Sequence, residues 1–141
     1  MQYVIDTSVG FKWAVSEIDS DKAIQLRDDF NNASHELLAP DLFPIEIANA
    51  LAVAERAIRL KPGEAALFLA DILKSSPSLY PAIPLLPRAI GICLITKQSV
   101  YDCLYVALAE RENCELVTAD DKLVKNLQPQ FPFIRALASF P

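Results

Sequence analysis

Short, almost wholly apolar runs alternate along the chain with longer stretches whose apolar residues recur every three to four positions, the pattern of strands alternating with helices. Gln2 to Ile5 reads as a strand of the kind buried on both faces of a parallel sheet. Ser8 is placed to cap a first helix running to about Ser16. A second helix, about Ser20 to Asn32, opens beside Asp19 and Asp21, acids that suit the positive end of a helix dipole. Glu36 to Ala39 is a strand closed by Pro40. A long helix from about Leu42 to Leu60 places Ile45, Ala48, Leu51 and Ala52 on an apolar stripe. Pro62-Gly63 breaks the chain, and Pro62 starts another helix to about Lys74. Pro77, Pro81, Pro84 and Pro87 mark a loop around a short strand at about Ala82 to Leu86. Helices follow over Arg88 to Ile95 and Ser99 to Asn113. Then come a strand, Glu115 to Thr118, a short helix, Asp121 to Asn126, and a last strand, Phe133 to Ala136. This alternation predicts an α/β sandwich, a mostly parallel sheet flanked by helices. A length of 141 residues predicts a single domain over residues 1–141, with enough buried surface for a real core.

Composition narrows the partners. Apolar residues make up 52% of the chain, which excludes disorder. With 18 acids against 13 bases the net charge is −5, which argues against a broad basic surface for nucleic acid. It does not exclude a nucleic-acid enzyme whose positive charge is carried by metal, since two Mg²⁺ would add four charges and move −5 to −1. Cys93, Cys103 and Cys114 are odd in number and lack Cys-x-x-Cys spacing, so neither a disulfide framework nor a zinc site is expected. They read as small buried hydrophobes. No basic-then-apolar leader and no proline-free apolar run of membrane-spanning length is present, so a cytoplasmic protein with no membrane association is expected.

The candidate chemistry lies in four carboxylates set among apolar residues: Asp6, Glu46, Asp102 and Asp120. Burying a carboxylate costs several kcal/mol unless something compensates it. No Lys or Arg lies within three positions of Glu46 or Asp102. A divalent cation that takes hard oxygen ligands is the natural compensation. Asp6 and Asp120 follow predicted strands, at the carboxyl edge where open α/β sheets bind ligands. Glu46 and Asp102 lie near predicted helix starts, which face the same edge. Taken singly, Asp6 and Asp120 could equally be helix caps, and Glu46 and Asp102 surface acids. Asp41 is read as a cap, and Glu17, Asp19, Asp21, Asp28 and Asp29 as a solvated face. Phe11 and Trp13 are expected in the core or an interface. His35, the only histidine, falls in a predicted surface turn and is given no catalytic role.

These stretches resemble the PIN-domain nucleases, and most closely the VapC-type toxins of toxin–antitoxin pairs. The matching segments are Tyr3-Val4-Ile5-Asp6-Thr7-Ser8-Val9 with Lys12-Trp13, Ala39-Pro40-Asp41-Leu42 leading to Glu46-Ile47-Ala48-Asn49-Ala50-Leu51, Ser99 through Glu110 around Tyr101-Asp102, and Leu116-Val117-Thr118-Ala119-Asp120. The resemblance runs over essentially the whole chain and implies a PIN-like three-layer sandwich. It also implies a Mg²⁺- or Mn²⁺-dependent endoribonuclease in which Asp6, Glu46, Asp102 and Asp120 hold the metal and hydrolyse RNA phosphodiesters through activated water. Thr118 would orient the last carboxylate or a phosphate, Asn49 would touch substrate, and Asp121 is a further candidate beside the four. The family also implies a cognate antitoxin and a homodimer, here through the apolar faces of the helices at Leu42 to Leu60 and Pro62 to Lys74. The alternative is a protein-interaction module with this fold and an unused metal site. A small-phosphate hydrolase is disfavoured, since Gly10, Gly63 and Gly91 form no phosphate-binding loop.

Overall fold

The strand that opens the chain becomes the centre of the sheet because it can be covered on both faces. In the computed structural model, which describes residues 1–141, β1 (Gln2–Ile5) carries Tyr3, Val4 and Ile5 with almost no exposure. It pairs in parallel with β2 (Glu36–Pro40) and with β4 (Glu115–Thr118), Val4 standing between Leu38 and Leu116. β3 (Ser78–Tyr80) and β5 (Ile134–Ala136) complete a five-stranded sheet of order β3-β2-β1-β4-β5, parallel throughout. The chain winds outward from β1 to β2 and β3, then returns to β4 and β5 on the other side. The winding reverses between β1 and β4, where the carboxyl ends of two adjacent strands open a crevice.

Seven helices flank the sheet in a three-layer α/β sandwich: α1 (Thr7–Phe11), α2 (Ser20–Asn31), α3 (Phe43–Arg56), α4 (Glu64–Leu73), α5 (Leu86–Thr96), α6 (Val100–Glu112) and α7 (Asp121–Leu127). α6 is buried without interruption from Cys103 to Ala109 and packs on β1, β2 and β4 with α5 outside it. One apolar cluster of 35 buried residues joins strands and helices. No single helix is long and apolar enough to cross a membrane.

The differences from the sequence-based expectations have physical causes. The segment Ala82 to Leu86 is not a strand: Ser78–Tyr80 pairs with β2, and Ile83–Leu85 is a 3₁₀ turn that runs into α5. Pro84 and Pro87 sit in first turns, where a missing N–H costs nothing, so they start helical structure rather than interrupt it. Gly63, with φ at 87°, precedes α4, so Pro62 is not its first residue. Helix α1 stops at Phe11, and Trp13 turns inward to donate its indole N–H to the Ala23 carbonyl at 2.9 Å. The α3 stripe is shifted: Phe43, Ile47, Leu51 and Ala54 face the core, while Ile45 is 72% exposed. Apolar residues surround this helix on nearly every side, so their period alone does not define its phase. Asp41 caps no helix; its Oδ1 accepts from the Ala82 N–H at 3.2 Å and ties the end of β2 to the turn before α5. Phe11 and Trp13 are core residues as expected. Cys103 is buried, whereas Cys93 and Cys114 are only partly so.

Candidate active site

Asp6 ends β1 in extended conformation, and its carboxylate, not Ser8, caps α1 through the Ser8 N–H at 3.1 Å. Two hydroxyls complete its surroundings. Ser8 Oγ donates to Oδ1 and Thr118 Oγ1 to Oδ2. These hydroxyls also accept from the far strand's exit, Ser8 Oγ from the Ala119 N–H at 2.9 Å and Thr118 Oγ1 from the Asp120 N–H at 3.1 Å. The ends of β1 and β4 are thus stitched together around one carboxylate. Thr118 orients the first acid of the set through its hydroxyl and touches Asp120 only through the backbone, which corrects the expected partner. Burial pushes the Asp6 carboxyl up to about 6 against the pull of its two hydroxyl donors, and the charges of Asp102 and Asp120 push it further the same way.

Glu46 lies in the first turn of α3, where the dipole favours an anion. Tyr105 Oη donates to its Oε1 at 2.7 Å, and Thr7 Oγ1 donates to the same oxygen at 3.3 Å. Burial first, with the Glu46 charge beside it, raises the Tyr105 phenol, so it stays protonated as a donor. Asp102 lies in the first turn of α6, one turn before Tyr105. Ser99 caps that helix, accepting from the Asp102 N–H at 3.1 Å. Desolvation raises the Asp102 carboxyl, and the negative charges of Asp120 and Glu46 add to it. Asp120 caps α7 by accepting through Oδ1 from the N–H groups of Lys122 and Leu123. Its Oδ2, like Oε2 of Glu46, accepts no hydrogen bond. Asp120 is an exposed residue, and Glu46, half-buried, has no buried oxygen left without a partner, so these oxygens open to solvent.

The four predicted acids therefore gather at the switch point of the sheet from β1, α3, α6 and the end of β4. None of the seven ion pairs in the structure involves any of them. Their charges act on one another without a compensating cation, and their hard oxygen donors suit a divalent ion. No three are already arranged to hold one ion, and hydroxyls occupy both oxygens of Asp6 and one of Glu46. Asp121 opens α7 as an exposed residue. Asn49 lines a neighbouring cleft with Thr7, Ser8 and Ala119. His35 lies before β2, at the opposite edge, hydrogen-bonded to Asp29 at 3.1 Å.

Sequence reasoning missed Ser8, Thr7 and Tyr105 as supports of the acids. Tyr105 carried a signal, since three positions after Asp102 is the same face of a helix. The hydroxyls carried none, because their partners lie on other elements. A second cleft, of about 520 Å³, opens at the far edge beside Tyr3, but its acids Glu110 and Glu115 are already paired with Arg88 and Arg135.

Comparison with known proteins bears on this arrangement. The family model described as PIN domain matches residues 3–126. The chain is 36% identical over 100 residues to VapC ribonuclease Mb0985 of Mycobacterium bovis, a match covering 71% of this chain and 77% of that protein. Ribonuclease VapC9 of Mycobacterium tuberculosis matches to the same extent. Among solved structures, PAE2754 from Pyrobaculum aerophilum is similar with a TM-score of 0.70, covering 99% of this chain and 94% of that one at 24% identity, a likeness of fold.

Proposed function

The chain belongs to the PIN-domain family, among the VapC ribonucleases, and on that premise we propose that it is a metal-dependent endoribonuclease and the toxin of a toxin–antitoxin pair. The observation that carries the proposal is the convergence of Asp6, Glu46, Asp102 and Asp120 on one crevice with no cation paired to any of them. In this proposal the four are ligands of Mg²⁺ or Mn²⁺, which when bound would supply an activated water and neutralise charge on a phosphodiester. The rest is done by the chain. Ser8 and Thr118 hold Asp6 in one rotamer, and Tyr105 with Thr7 holds Glu46. The outward oxygens of Glu46 and Asp120 are left for the ion. Such outer partners typically matter 10- to 100-fold in metal affinity or activity. Asn49 stands where its carboxamide can touch the RNA, and Asp121 stands beside the set as a further acid.

The proposal extends to partners. A small cytoplasmic ribonuclease needs restraint, so we assign it a cognate antitoxin that covers the acids, with an Arg fork suited to bind carboxylates bidentately. We also assign it a homodimer through α3 and α4, where Val53 and Leu67 remain 45% and 69% exposed. The test is cleavage of RNA by the purified chain in Mn²⁺ and in EDTA. Cleavage that appears with Mn²⁺ and stops with EDTA is expected. RNA left intact under both conditions would favour an interaction module with an unused site.

A further inference from the structure

The acid crevice continues into a polar cleft of about 610 Å³ lined by Asp102, Asp120, Gln98, Asn126, Lys97 and Lys122 among others. The two lysines have no carboxylate partner within ion-pairing distance, although two uncompensated carboxylates line the same cleft. Lys97 is held there by the backbone. It ends α5 with φ at 63°, a left-handed conformation usual for Gly or Asn and costly for a long side chain. Lys122 is carried on α7, two residues after Asp120.

The cations on the other side of the acids behave differently. Lys12 and Arg59 line the cleft that contains Asn49, but both are tied to Glu17, at 3.3 and 2.8 Å. That cleft also carries Phe11, Ala50 and Val53. Both of those cations are engaged by one carboxylate, which leaves the trio a net charge of +1 but neither cation without a partner. On a chain of net charge −5, a polyanion must find a local seat, and unpaired ammonium groups offer one.

We propose that Lys97 and Lys122 together bind the backbone phosphate adjacent to the one being cleaved, so that single-stranded RNA runs from the acids over the α5–α6 turn and α7. This rests on the ribonuclease proposal but concerns binding, which is measured separately from cleavage. The two lysines are positioning residues: they hold the strand and do not take part in the bond-breaking step.

The experiment uses the full chain with Lys97→Asn, which suits the left-handed backbone, Lys122→Gln, the double variant, and Lys74→Ala as a control at the amino edge of the sheet. Steady-state cleavage of a single-stranded RNA with Mn²⁺ should show KM raised about 3- to 10-fold by each change and more by the pair, with kcat within about twofold, as loss of binding common to the ground and transition states requires. Binding of the same RNA in EDTA, followed by fluorescence anisotropy over a salt series, should lose about 0.7 of the log–log salt slope per lysine. Lys74→Ala should change neither. A double variant with wild-type KM and salt slope would overturn the anchor while leaving the ribonuclease proposal standing. A fall in kcat alone would also overturn it. RNA binding that depends on both lysines in a wild-type protein that cleaves nothing with Mn²⁺ would leave the lysines as an RNA-binding site but overturn their place beside a scissile phosphate together with the ribonuclease proposal.

Discussion

At the residue scale, the site is an unfavourable arrangement kept in place by its neighbours. Asp6 accepts from two hydroxyls and a backbone N–H, yet its proton is held up to about 6, because burial and two nearby carboxylates outweigh those donors. The unfolded chain releases the same proton near 3.9, about two units lower. Below about pH 4 both states hold the proton, and between about 4 and 6 the folded state binds more protons than the unfolded. Stability of the metal-free protein from this group is therefore full below about pH 4 and falls as pH rises to about 6, by at most about 3 kcal/mol. Asp102, raised in the same direction, adds to the trend. Urea unfolding in EDTA at pH 4.5 and 7 should show this loss, and Asp6→Asn should lose distinctly less. A variant that tracks the wild type would mean that Asp6 carries no such strain. The four acids were visible in the sequence because a carboxylate among apolar residues is conspicuous. Ser8 and Thr118 were not visible in these roles, because a hydroxyl reveals its acceptor only once β1 and β4 lie side by side.

At the scale of elements, the site depends on how closely α1 approaches α3. Gly10 makes that approach: a Cβ added there would stand 2.7 Å from Phe43 Cζ and 3.1 Å from Ile47 Cδ1. Phe43 and Ile47 are fully buried and have no room to move. Alanine would favour the helix by about 1 kcal/mol, but overpacking costs about 1–3 kcal/mol. Gly10→Ala should thus destabilise the protein on balance. It should also spread α1 from α3, parting Thr7 from Glu46, so that metal-dependent cleavage falls by more than the loss of folded protein explains. Thermal unfolding and specific activity together check this, and a variant as stable and active as the wild type would contradict the packing described. Element order was legible because short, continuously apolar runs alternate with stretches of period 3.6. The strand Glu115–Thr118 falls where expected. The misplaced strand at Ala82 to Leu86 and the rotated stripe of α3 were not legible. Prolines both break and begin helices, and a helix apolar on nearly every side, as α3 is, has no phase until its neighbours, here α1 and α4, are in place.

At the scale of the whole molecule, the parallel sheet brings acids from Asp6 to Asp120 to one edge, and the cost of gathering like charges there should be relieved by metal. Divalent metal that binds only the folded state stabilises by mass action, about 2.7 kcal/mol at a hundredfold excess over Kd. Mn²⁺ at millimolar concentration should raise Tm by several degrees, and Asp102→Asn should blunt the rise; an unmoved Tm would argue that the acids hold no ion. The apolar residues left on α3 and α4 predict a dimer in sedimentation at micromolar concentration, and a monomer there would remove that assignment. The most direct test of the central claim is single-turnover cleavage of RNA in Mn²⁺ by the wild type and by Asp102→Asn, with matched circular dichroism to establish that both are folded. Asp102 stands in the crevice with Asp120 at its side, and the swap removes one anionic ligand with little change in volume. The rate should fall at least about a hundredfold, the scale on which one preorganised catalytic group contributes. An Asp102→Asn protein that cleaves at the wild-type rate would contradict the assignment of these four carboxylates to catalysis.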